Sequence, residues 1–307
     1  MTRCVVVGSP IGHSLSPTLH RAAYAALGLD WDYDAVELGA GLAGFLADVG
    51  TDLQGLSVTM PLKAEALAVA RDADPTARLV GVANTLVRRG EAVGGGYSAH
   101  NTDVVGVRDA LTGAGVRSLA GADVVVVGAG GTARAVLAAL GQLGVGQLGV
   151  GQLGVGQLGV GPPIRVLARR PTVAAAALTP LAEALGLRLT VGPVPDSTPG
   201  TDERSGTAAE ELIGRPDLLV ATTPAGAVDG FAAAAARAGI VFDVLYHPWP
   251  TPLVAHARRR GAVVVGGLDL LVAQAARQVE LMTGRQPAPV AAMRAAGEAV
   301  LAARAGR

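Results

Sequence analysis

The sequence predicts an α/β protein with two parts: a doubly wound parallel sheet, and a second α/β part built from both ends of the chain. Three observations lead to this fold class. Four consecutive valines, residues 124–127, suit a strand buried on both faces, and a glycine-rich turn and a helical pattern follow them. From residue 164 to 245, short apolar runs alternate with helical segments. Helical patterns then prevail, with no strand pattern beyond residue 265.

Length and charge restrict the classes of partner. At 307 residues the chain can form two domains with separate cores. Its 25 basic and 25 acidic residues cancel, so the net charge points to neither nucleic acid nor a membrane. The single cysteine, Cys4, lies in an apolar run and is expected to be buried on a strand rather than reactive. Gly8 and Pro10 interrupt the apolar run that a signal peptide needs, so we expect a cytoplasmic protein.

Turn residues divide the first part of the chain into elements. Ser16 is predicted as a helix N-cap because Pro17 suits the first helical position, and Gly28 ends that helix. Pro61 ends a strand, and Lys63 begins the next helix. The predicted strands are 5–7, 31–38 and 55–60, with a hairpin formed by 84–88 and 92–97. Further helices are predicted around 45–46 and at 104–111.

The second part of the chain alternates strands and helices. Its predicted strands are 124–127, 164–168, 187–191, 218–221, 241–245 and 262–265. Two final helices, 268–283 and 287–305, have no strand after them, so we expect them to fold back onto the N-terminal part. This predicts a first domain of residues 1–103 completed by 268–307, and a second domain of residues 104–267.

The turn after the valine strand has the spacing Gly128-x-Gly130-x-x-Ala133. The first glycine permits a tight turn, the second lets a pyrophosphate approach the backbone, and the small alanine lets helix and strand pack closely. The following helix offers N–H groups to phosphate at its N-terminus. A flexible glycine-rich turn is the alternative, but the strand before it and the helix after it favour a dinucleotide site. The predicted cofactor contacts are Gly128, Ala129, Gly130, Gly131, Thr132 and Ala133.

Five further stretches accompany this loop. They are Gly-Ser-Pro-Ile-Gly-His-Ser-Leu-Ser-Pro at 8–17, Val-Thr-Met-Pro-Leu-Lys at 58–63, Ala-Asn-Thr at 83–85, Asn-Thr-Asp at 101–103, and residues 267–274. In these stretches and their order, the chain resembles the shikimate 5-dehydrogenases of the aromatic amino acid pathway over nearly its whole length. The resemblance implies an N-terminal α/β substrate domain, a Rossmann-type NADP-binding domain, and NADPH-dependent reduction of 3-dehydroshikimate to shikimate.

Reduction of a ketone to an alcohol requires a hydride and a proton for the developing alkoxide. A partly desolvated lysine can stabilise that oxyanion and deliver the proton, and a neighbouring carboxylate keeps the ammonium charged and oriented. The resemblance assigns these catalytic roles to Lys63 and Asp103. A solvated lysine at a helix start is the plain alternative. The motif around Lys63 argues against it.

A polyhydroxylated cyclohexene carboxylate needs many small polar partners. Ser14 and Ser16 lie two residues apart in a loop, where both hydroxyls can converge on one carboxylate. By resemblance, the ring hydroxyls contact Thr59, Lys63, Asn84, Asp103 and Gln274. The resemblance also places Tyr246 between substrate and nicotinamide, and it adds Thr222, Gly267 and Leu270 to the cofactor contacts.

Three residues depart from the family's pattern. Ser57, a predicted substrate contact, stands where asparagine is usual; serine can still bond a hydroxyl but has a shorter reach. Leu270 replaces methionine near the nicotinamide, a swap that conserves volume and should be tolerated. Asp269 replaces a small residue, and the sequence offers no reason for it.

The residues after the second strand of the dinucleotide fold indicate the cofactor. NAD usually calls for an acidic residue there and NADP for arginine. The strand at 164–168 runs into Arg169-Arg170-Pro171-Thr172 with no acid, and arginine suits a phosphate dianion through its bidentate fork. We therefore predict NADP, bound by Arg169 and Arg170. A solvated pair of arginines at a strand end is the alternative.

Two other functions stay open at this stage. One is an NAD-preferring quinate/shikimate dehydrogenase, which should carry an acid after Ala168. The other is a non-catalytic dinucleotide-binding paralogue, which should lack Lys63 or Asp103. We expect no metal, because His13 and His100 have no ligand partners at suitable spacing. A small-molecule substrate is expected, and a homodimer is left open.

The run from 141 to 160 is Gly-Gln-Leu-Gly-Val repeated four times without substitution. No charge occurs from 135 to 164, but glycine at two of every five repeat positions argues against a membrane helix. One copy completes the helix after the glycine loop, so the three copies at 146–160 are surplus. A small β-solenoid is the alternative to a surface loop, and four uncapped turns would be marginal. We predict a surface loop at the sheet edge opposite the cofactor.

Deletion of residues 146–160 should leave kcat and both Michaelis constants nearly unchanged. The reason is that loop-closure entropy grows only logarithmically, so the insertion costs on the order of 1 kcal/mol. Steady-state kinetics of the deletion variant beside the full chain measure this. A folded but inactive deletion variant would show that the repeats have a function.

Overall fold

The computed structural model describes residues 1–145, 161–195 and 203–306. The surplus repeats at 146–160 lie outside the described residues, and the predicted loop stays untested. The chain divides into two compact units. Unit 1 combines Met1–Val107 with the segment that begins at Leu270, and unit 2 is Arg108–Asp269.

Twelve strands are found in the described residues. They are β1 (Thr2–Gly8), β2 (Trp31–Glu37), β3 (Leu53–Val58), β4 (Asp72–Ala73), β5 (Thr85–Arg88), β6 (Tyr97–His100), β7 (Val124–Val127), β8 (Ile164–Ala168), β9 (Leu189–Pro193), β10 (Leu218–Ala221), β11 (Ile240–Asp243) and β12 (Val263–Val265). They form two sheets of six strands each.

Twelve α-helices accompany them within the same described ranges. They are α1 (Ser16–Ala26), α2 (Leu42–Asp48), α3 (Lys63–Val69), α4 (Pro75–Val80), α5 (Asp103–Gly113), α6 (Gly131–Gln142), α7 (Pro171–Ala184), α8 (Glu203–Ile213), α9 (Ala232–Ala235), α10 (Pro252–Arg259), α11 (Gly267–Thr283) and α12 (Val290–Ala305). No helix in the described part of the chain combines the length and apolar character that a membrane span requires.

The sheet of unit 1 has the order β2-β1-β3-β5-β6-β4. β1 pairs in parallel with β2 and β3, whereas β5 pairs antiparallel with β3 and β6. The apolar run in β1 is buried, and Val5 and Val7 share a core with Leu56 of β3 and Leu86 of β5. The strand ends that carry the motifs of the N-terminal part are therefore fixed by a common core.

The sheet of unit 2 is parallel throughout, with the order β12-β11-β10-β7-β8-β9. The four valines of β7 are 0–1% exposed, as a strand covered on both faces requires. The strand order reverses between β7 and β10, and such a reversal is the switch point where these sheets bind ligands. The predicted α/β class with a doubly wound sheet is confirmed.

Most predicted elements are present, and two differ. Ser16 is not the cap of α1: the N-cap residue is Leu15, and the helix begins at Ser16 itself. The second hairpin strand is β6, not 92–97, because Gly94, Gly95 and Gly96 all adopt positive φ in a turn before it. The short β4 and the helix α4 were not predicted, whereas α8 and α9 lie where helices were expected between the strands of the second part. α4 had a readable signal, since the Asp74 side chain accepts from the Ala77 N–H and Pro75 follows it.

Gly55 in β3 tests how tightly unit 1 is packed. A Cβ at this position would lie 2.7 Å from Met282 Cγ and 3.2 Å from the carbonyl oxygen of Leu86. Gly55→Ala should therefore lower the free energy of unfolding by about 1–3 kcal/mol through overpacking. The matched control is Gly44→Ala in α2, where no atom lies within 4 Å of the new methyl, and which should be neutral or stabilising. Urea unfolding followed by circular dichroism measures both; equal midpoints would contradict tight packing here.

Candidate active site

Lys63 and Asp103 face each other in unit 1. Each is the first residue of its helix, α3 and α5 respectively. Lys63 Nζ donates a hydrogen bond to Asp103 Oδ2 over 2.6 Å. Their side chains are 17% and 6% exposed, so the ion pair is largely shielded from water. The N-terminal turn of α5 also favours the negative charge of Asp103.

Asn84 connects this pair to α11. Its Nδ2 lies 2.8 Å from Asp103 Oδ1 and 2.8 Å from Gln274 Oε1. The backbone N–H of Thr102 donates to Asn84 Oδ1 over 2.8 Å, and a backbone N–H can only donate. This contact fixes the orientation of the amide, so its NH₂ group must face Asp103 and Gln274. Four predicted site residues, Lys63, Asn84, Asp103 and Gln274, thus form one cluster.

Backbone contacts within unit 1 hold the cluster in place. The carbonyl oxygen of Asn84 accepts from the Val58 N–H over 2.7 Å, and the Asn84 N–H donates to the carbonyl oxygen of His100. Gly106 allows α5 to approach α11 closely, since a Cβ there would lie only 3.0 Å from Gln274 Cβ. The ends of β3 and β5 and the first turn of α5 therefore converge on the same place.

The arrangement can donate a proton and bind hydroxyl groups. The ammonium of Lys63 has three N–H groups, and within the described residues one of them is used by Asp103. The others are available to the oxygen of a ligand. Asp103 keeps the ammonium oriented, and the half-buried Gln274 adds amide donor and acceptor groups at the edge of the cluster. These are the parts that general acid catalysis at a carbonyl requires.

Ser14 and Ser16 lie where the loop after β1 enters α1. Ser14 Oγ accepts from the Ser16 N–H over 3.2 Å, so its side chain satisfies the first backbone N–H of α1 although Leu15 is the N-cap residue. Glu37 holds the start of this loop, since its Oε2 accepts from the Ile11 N–H over 2.9 Å. Bonds from the Ser9 side chain and the Ile11 N–H lower the pKa of Glu37. Thr59, also predicted to bind substrate, is half-buried directly after β3.

Ser57 is placed differently from the other predicted substrate contacts. It is 4% exposed, its Oγ accepts from the Tyr33 hydroxyl over 2.5 Å, and it donates to Gln278 Oε1 over 2.8 Å. Its hydroxyl is thus engaged by the protein interior. Gln278, Thr85 and Thr102 border the site and were not predicted. Gln278 lies four residues after Gln274 in α11, and this helical spacing could have suggested it.

The composition of the chain also distinguishes Lys63. Of the 25 basic residues, Lys63 is the only lysine and the other 24 are arginines. Arginine stays protonated at any ordinary pH, whereas lysine can release its proton. A chain that otherwise uses arginine throughout keeps a lysine at the position where a proton donor is needed.

The predicted cofactor loop lies at the switch point of unit 2. Gly128 has φ +112°, and a Cβ there would overlap Thr222 Oγ1, so only glycine fits. Thr222 follows β10 and donates through Oγ1 to the carbonyl oxygen of Val127 over 2.9 Å. No atom lies within 4 Å of a Cβ built on Gly130, and no side chain caps α6 there. The turn at Gly130 is therefore open to a ligand at the N-terminus of α6, where a pyrophosphate can bind backbone N–H groups.

The remaining predicted cofactor residues are distributed over both units. Arg169 and Arg170 are exposed after β8, and Arg170 precedes α7 as its N-cap residue. Gly267 lies against the backbone of 244–245 in unit 2, where a Cβ would overlap the carbonyl oxygen of residue 244. Tyr246 is half-buried after β11. Leu270, which is 7% exposed, belongs to unit 1.

Asp269, unexplained by the sequence, has a local structural role. Its Oδ2 accepts from the Gly266 N–H over 2.9 Å at the start of α11. A carboxylate in the first helical turn that reaches back to the preceding N–H satisfies a donor that the helix cannot. Asp269 therefore stabilises the beginning of the helix that carries Gln274.

Comparison with known proteins matches both ends of the chain to one family. The shikimate dehydrogenase substrate binding domain matches residues 6–86, and the shikimate 5'-dehydrogenase C-terminal domain matches residues 267–296. The shikimate dehydrogenase (NADP(+)) of Symbiobacterium thermophilum is 35% identical, over 96% of this chain and 93% of that protein. That of Geobacter sp. strain M21 is 36% identical, over 92% of this chain and 90% of that protein.

Two solved structures similar to this chain belong to the same family. The shikimate dehydrogenase of Mycobacterium tuberculosis superposes with a TM-score of 0.78 at 37% identity, covering 98% of this chain and all of that one (100%). The shikimate 5-dehydrogenase of Thermus thermophilus, in complex with NADP(H) and shikimate, superposes with a TM-score of 0.74 at 30% identity, covering 98% and 100%. Because the likeness in sequence and fold extends over almost all of its length, this chain belongs to the shikimate dehydrogenase family.

Proposed function

We propose that the chain catalyses the reversible NADPH-dependent reduction of 3-dehydroshikimate to shikimate. The observation that carries the proposal is the shielded Lys63–Asp103 pair with Asn84 and Gln274 beside it. Relatives named shikimate dehydrogenase (NADP(+)) cover nearly the whole chain and support it. The place of the reaction is the biosynthesis of aromatic amino acids.

The chemistry requires a hydride for the carbonyl carbon and a proton for its oxygen. NADPH supplies the hydride when it is bound. Lys63 Nζ donates the proton to the oxygen as the alkoxide develops, and in the reverse direction it takes the hydroxyl proton. Asp103 orients the ammonium throughout, and the Asn84 amide holds Asp103 through Oδ1 while Lys63 bonds Oδ2. The charges are in place before the substrate arrives, which is the condition for effective transition-state stabilisation.

Substrate recognition divides between a carboxylate end and a hydroxyl end. Ser14 and Ser16 bind the carboxylate, and Thr59, Asn84, Asp103 and Gln274 bind the ring hydroxyls. Tyr246 lies between substrate and nicotinamide. Ser57 supports the substrate site indirectly, because its hydroxyl bonds the buried side chains of Tyr33 and Gln278. Residues 1–103 with 268–307 form the substrate domain in this proposal.

Cofactor binding is assigned to residues 104–267. The open turn at Gly130 leaves room for a pyrophosphate to bind the backbone of residues 128–133. The exposed Arg169 and Arg170 fit the 2′-phosphate of NADP, with no acid among residues 169–172. Thr222 and Gly267 complete this set, and Leu270, from the substrate domain, is assigned one further cofactor contact. The cytoplasmic location and a homodimer remain expectations from the sequence.

A single spectrophotometric experiment tests the proposal. Shikimate and quinate are each offered with NADP⁺ and with NAD⁺, and reduction of the nicotinamide is followed by absorbance. We expect turnover of shikimate with NADP⁺ to dominate. Preference for NAD⁺ would make the chain a quinate/shikimate dehydrogenase of the NAD type, and absence of turnover in all four combinations would make it a non-catalytic dinucleotide-binding protein.

Lys63→Met removes the proposed proton donor. General acid catalysis and oxyanion stabilisation each contribute roughly 100-fold or more, so kcat should fall by at least that factor. The KM for shikimate should change comparatively little. Steady-state kinetics measure both, and the thermal unfolding midpoint verifies that the variant folds.

Lys63→Arg is the matched control for charge. It keeps a cation beside Asp103 but cannot release a proton near neutral pH, so its kcat should also be low. A Lys63→Met enzyme with nearly full kcat would overturn the assignment of Lys63.

Arg169→Ala addresses the cofactor preference. A charge-assisted hydrogen bond to the 2′-phosphate contributes roughly 1.5–3 kcal/mol, so NADPH binding should weaken by that amount. NADH lacks this phosphate and serves as the internal control; its binding should change little. Fluorescence titration with both cofactors gives the two dissociation constants. Equal losses would show that Arg169 acts on structure only, and Arg170→Ala reveals whether the second arginine shares the phosphate.

A further inference from the structure

Gln278 in α11 is a buried amide that the mechanism does not use. It is 1% exposed and lies in unit 1 behind the active-site cluster. Its Oε1 accepts from Ser57 Oγ over 2.8 Å and lies 3.3 Å from His20 Nε2. Its Nε2 donates to the carbonyl oxygen of Asn84 over 3.2 Å and to Thr85 Oγ1 over 3.0 Å. All four hydrogen-bonding positions of this amide are therefore occupied.

The direction of these bonds is determined. The carbonyl oxygen of Asn84 can only accept, so the NH₂ group of Gln278 must face it. Oε1 then faces His20, whose Nε2 must donate. Burial lowers the pKa of His20 to about 3, so the ring is neutral and its Nδ1 is free to accept from the Tyr24 hydroxyl, 3.4 Å away.

Gln278 is linked by hydrogen bonds to both the backbone and the side chain of Asn84. It bonds the Asn84 carbonyl oxygen directly. It also bonds Thr85, whose Oγ1 donates to Asn84 Oδ1 over 2.9 Å. The amide of Asn84 in turn donates to Asp103 Oδ1, on the carboxylate that Lys63 holds. An unbroken series of hydrogen bonds thus runs from Ser57 and His20 to the catalytic pair.

We propose that Gln278 is a positioning residue for the reaction, acting through the side chain of Asn84. Ser57 serves Gln278 in this arrangement instead of contacting substrate, which accounts for a short serine at a position where asparagine is usual. The inference rests on the proposed function. A purely structural Gln278 would affect stability and leave the catalytic effect of Asn84 untouched.

A double-mutant cycle in kcat/KM distinguishes the two roles. Gln278→Met keeps the volume and removes the hydrogen bonds. Since a small misplacement at a reacting group is costly, kcat/KM for shikimate should fall about tenfold while the KM for NADP⁺ stays within about twofold. Asn84→Ala keeps the backbone carbonyl that Gln278 bonds but removes the amide. In that background, Gln278→Met should change kcat/KM by no more than about twofold.

Val279→Ala is the matched control. Val279 is the buried neighbour of Gln278 in α11 and has no side-chain polar group. The Val279→Ala substitution should lower the unfolding midpoint, and its effect on kcat/KM should be the same with and without Asn84→Ala. If Gln278→Met does not fold, Thr85→Val provides the same cycle, because it removes the bond between Gln278 and Asn84 Oδ1 and keeps the shape.

The outcomes separate the inference from the proposed function. If the unaltered chain does not turn over shikimate with NADP⁺ and calorimetry shows no binding of shikimate, the proposed function fails and the inference fails with it. If the unaltered chain is active but the variant's effect is equal in both Asn84 backgrounds, only the inference is overturned. An unchanged kcat/KM in folded Gln278→Met overturns it as well. The inference is supported if Gln278→Met lowers kcat/KM in the unaltered chain but not in the Asn84→Ala background.

Discussion

The buried carboxylate of Asp103 is the constraint on which the rest of the site depends. Moving an ionised carboxylate out of water costs several kcal/mol unless charge and hydrogen bonds compensate for it. Lys63 compensates one oxygen and Asn84 the other. Each partner comes from a different part of unit 1, and each must arrive with the correct group facing Asp103. The fold around the site is therefore arranged as much to hold one negative charge as to bind a substrate.

The choice of lysine over arginine follows from the same requirement. An arginine would neutralise Asp103 with a bidentate fork and would then have no proton to release at neutral pH. Lysine has a compact ammonium with three donors, so a single bond to Asp103 leaves the others for a ligand. That distinction explains why the chain's one lysine stands here among 24 arginines, several of which form surface ion pairs, as Arg21 does with Asp32 and Asp34.

Local patterns predicted the elements whose signals are local. The valine strand, the glycine loop and the arginines after β8 are read from adjacent residues, and turn chemistry places their ends. The hairpin partner was misplaced because alternation was extended into Gly94–Gly96, whose backbone turns instead. At the site, Lys63, Asn84, Asp103 and Gln274 were predicted through their motifs. Gln278 was not, because the motif at 267–274 ends before it and its bond to Ser57 joins residues 221 positions apart; only its spacing from Gln274 is a local signal.

Two backbone groups make the polar interior of unit 1 directional. The Thr102 N–H can only donate and the Asn84 carbonyl oxygen can only accept, so each fixes the orientation of one amide. Once both amides are fixed, every hydroxyl between them has one favourable direction as well. The NH₂ group of Asn84 then points at Asp103. A site organised in this way has little reorganisation left to perform when charge develops on a substrate oxygen, and this is the physical advantage that the oriented amides of Asn84 and Gln278 give to catalysis.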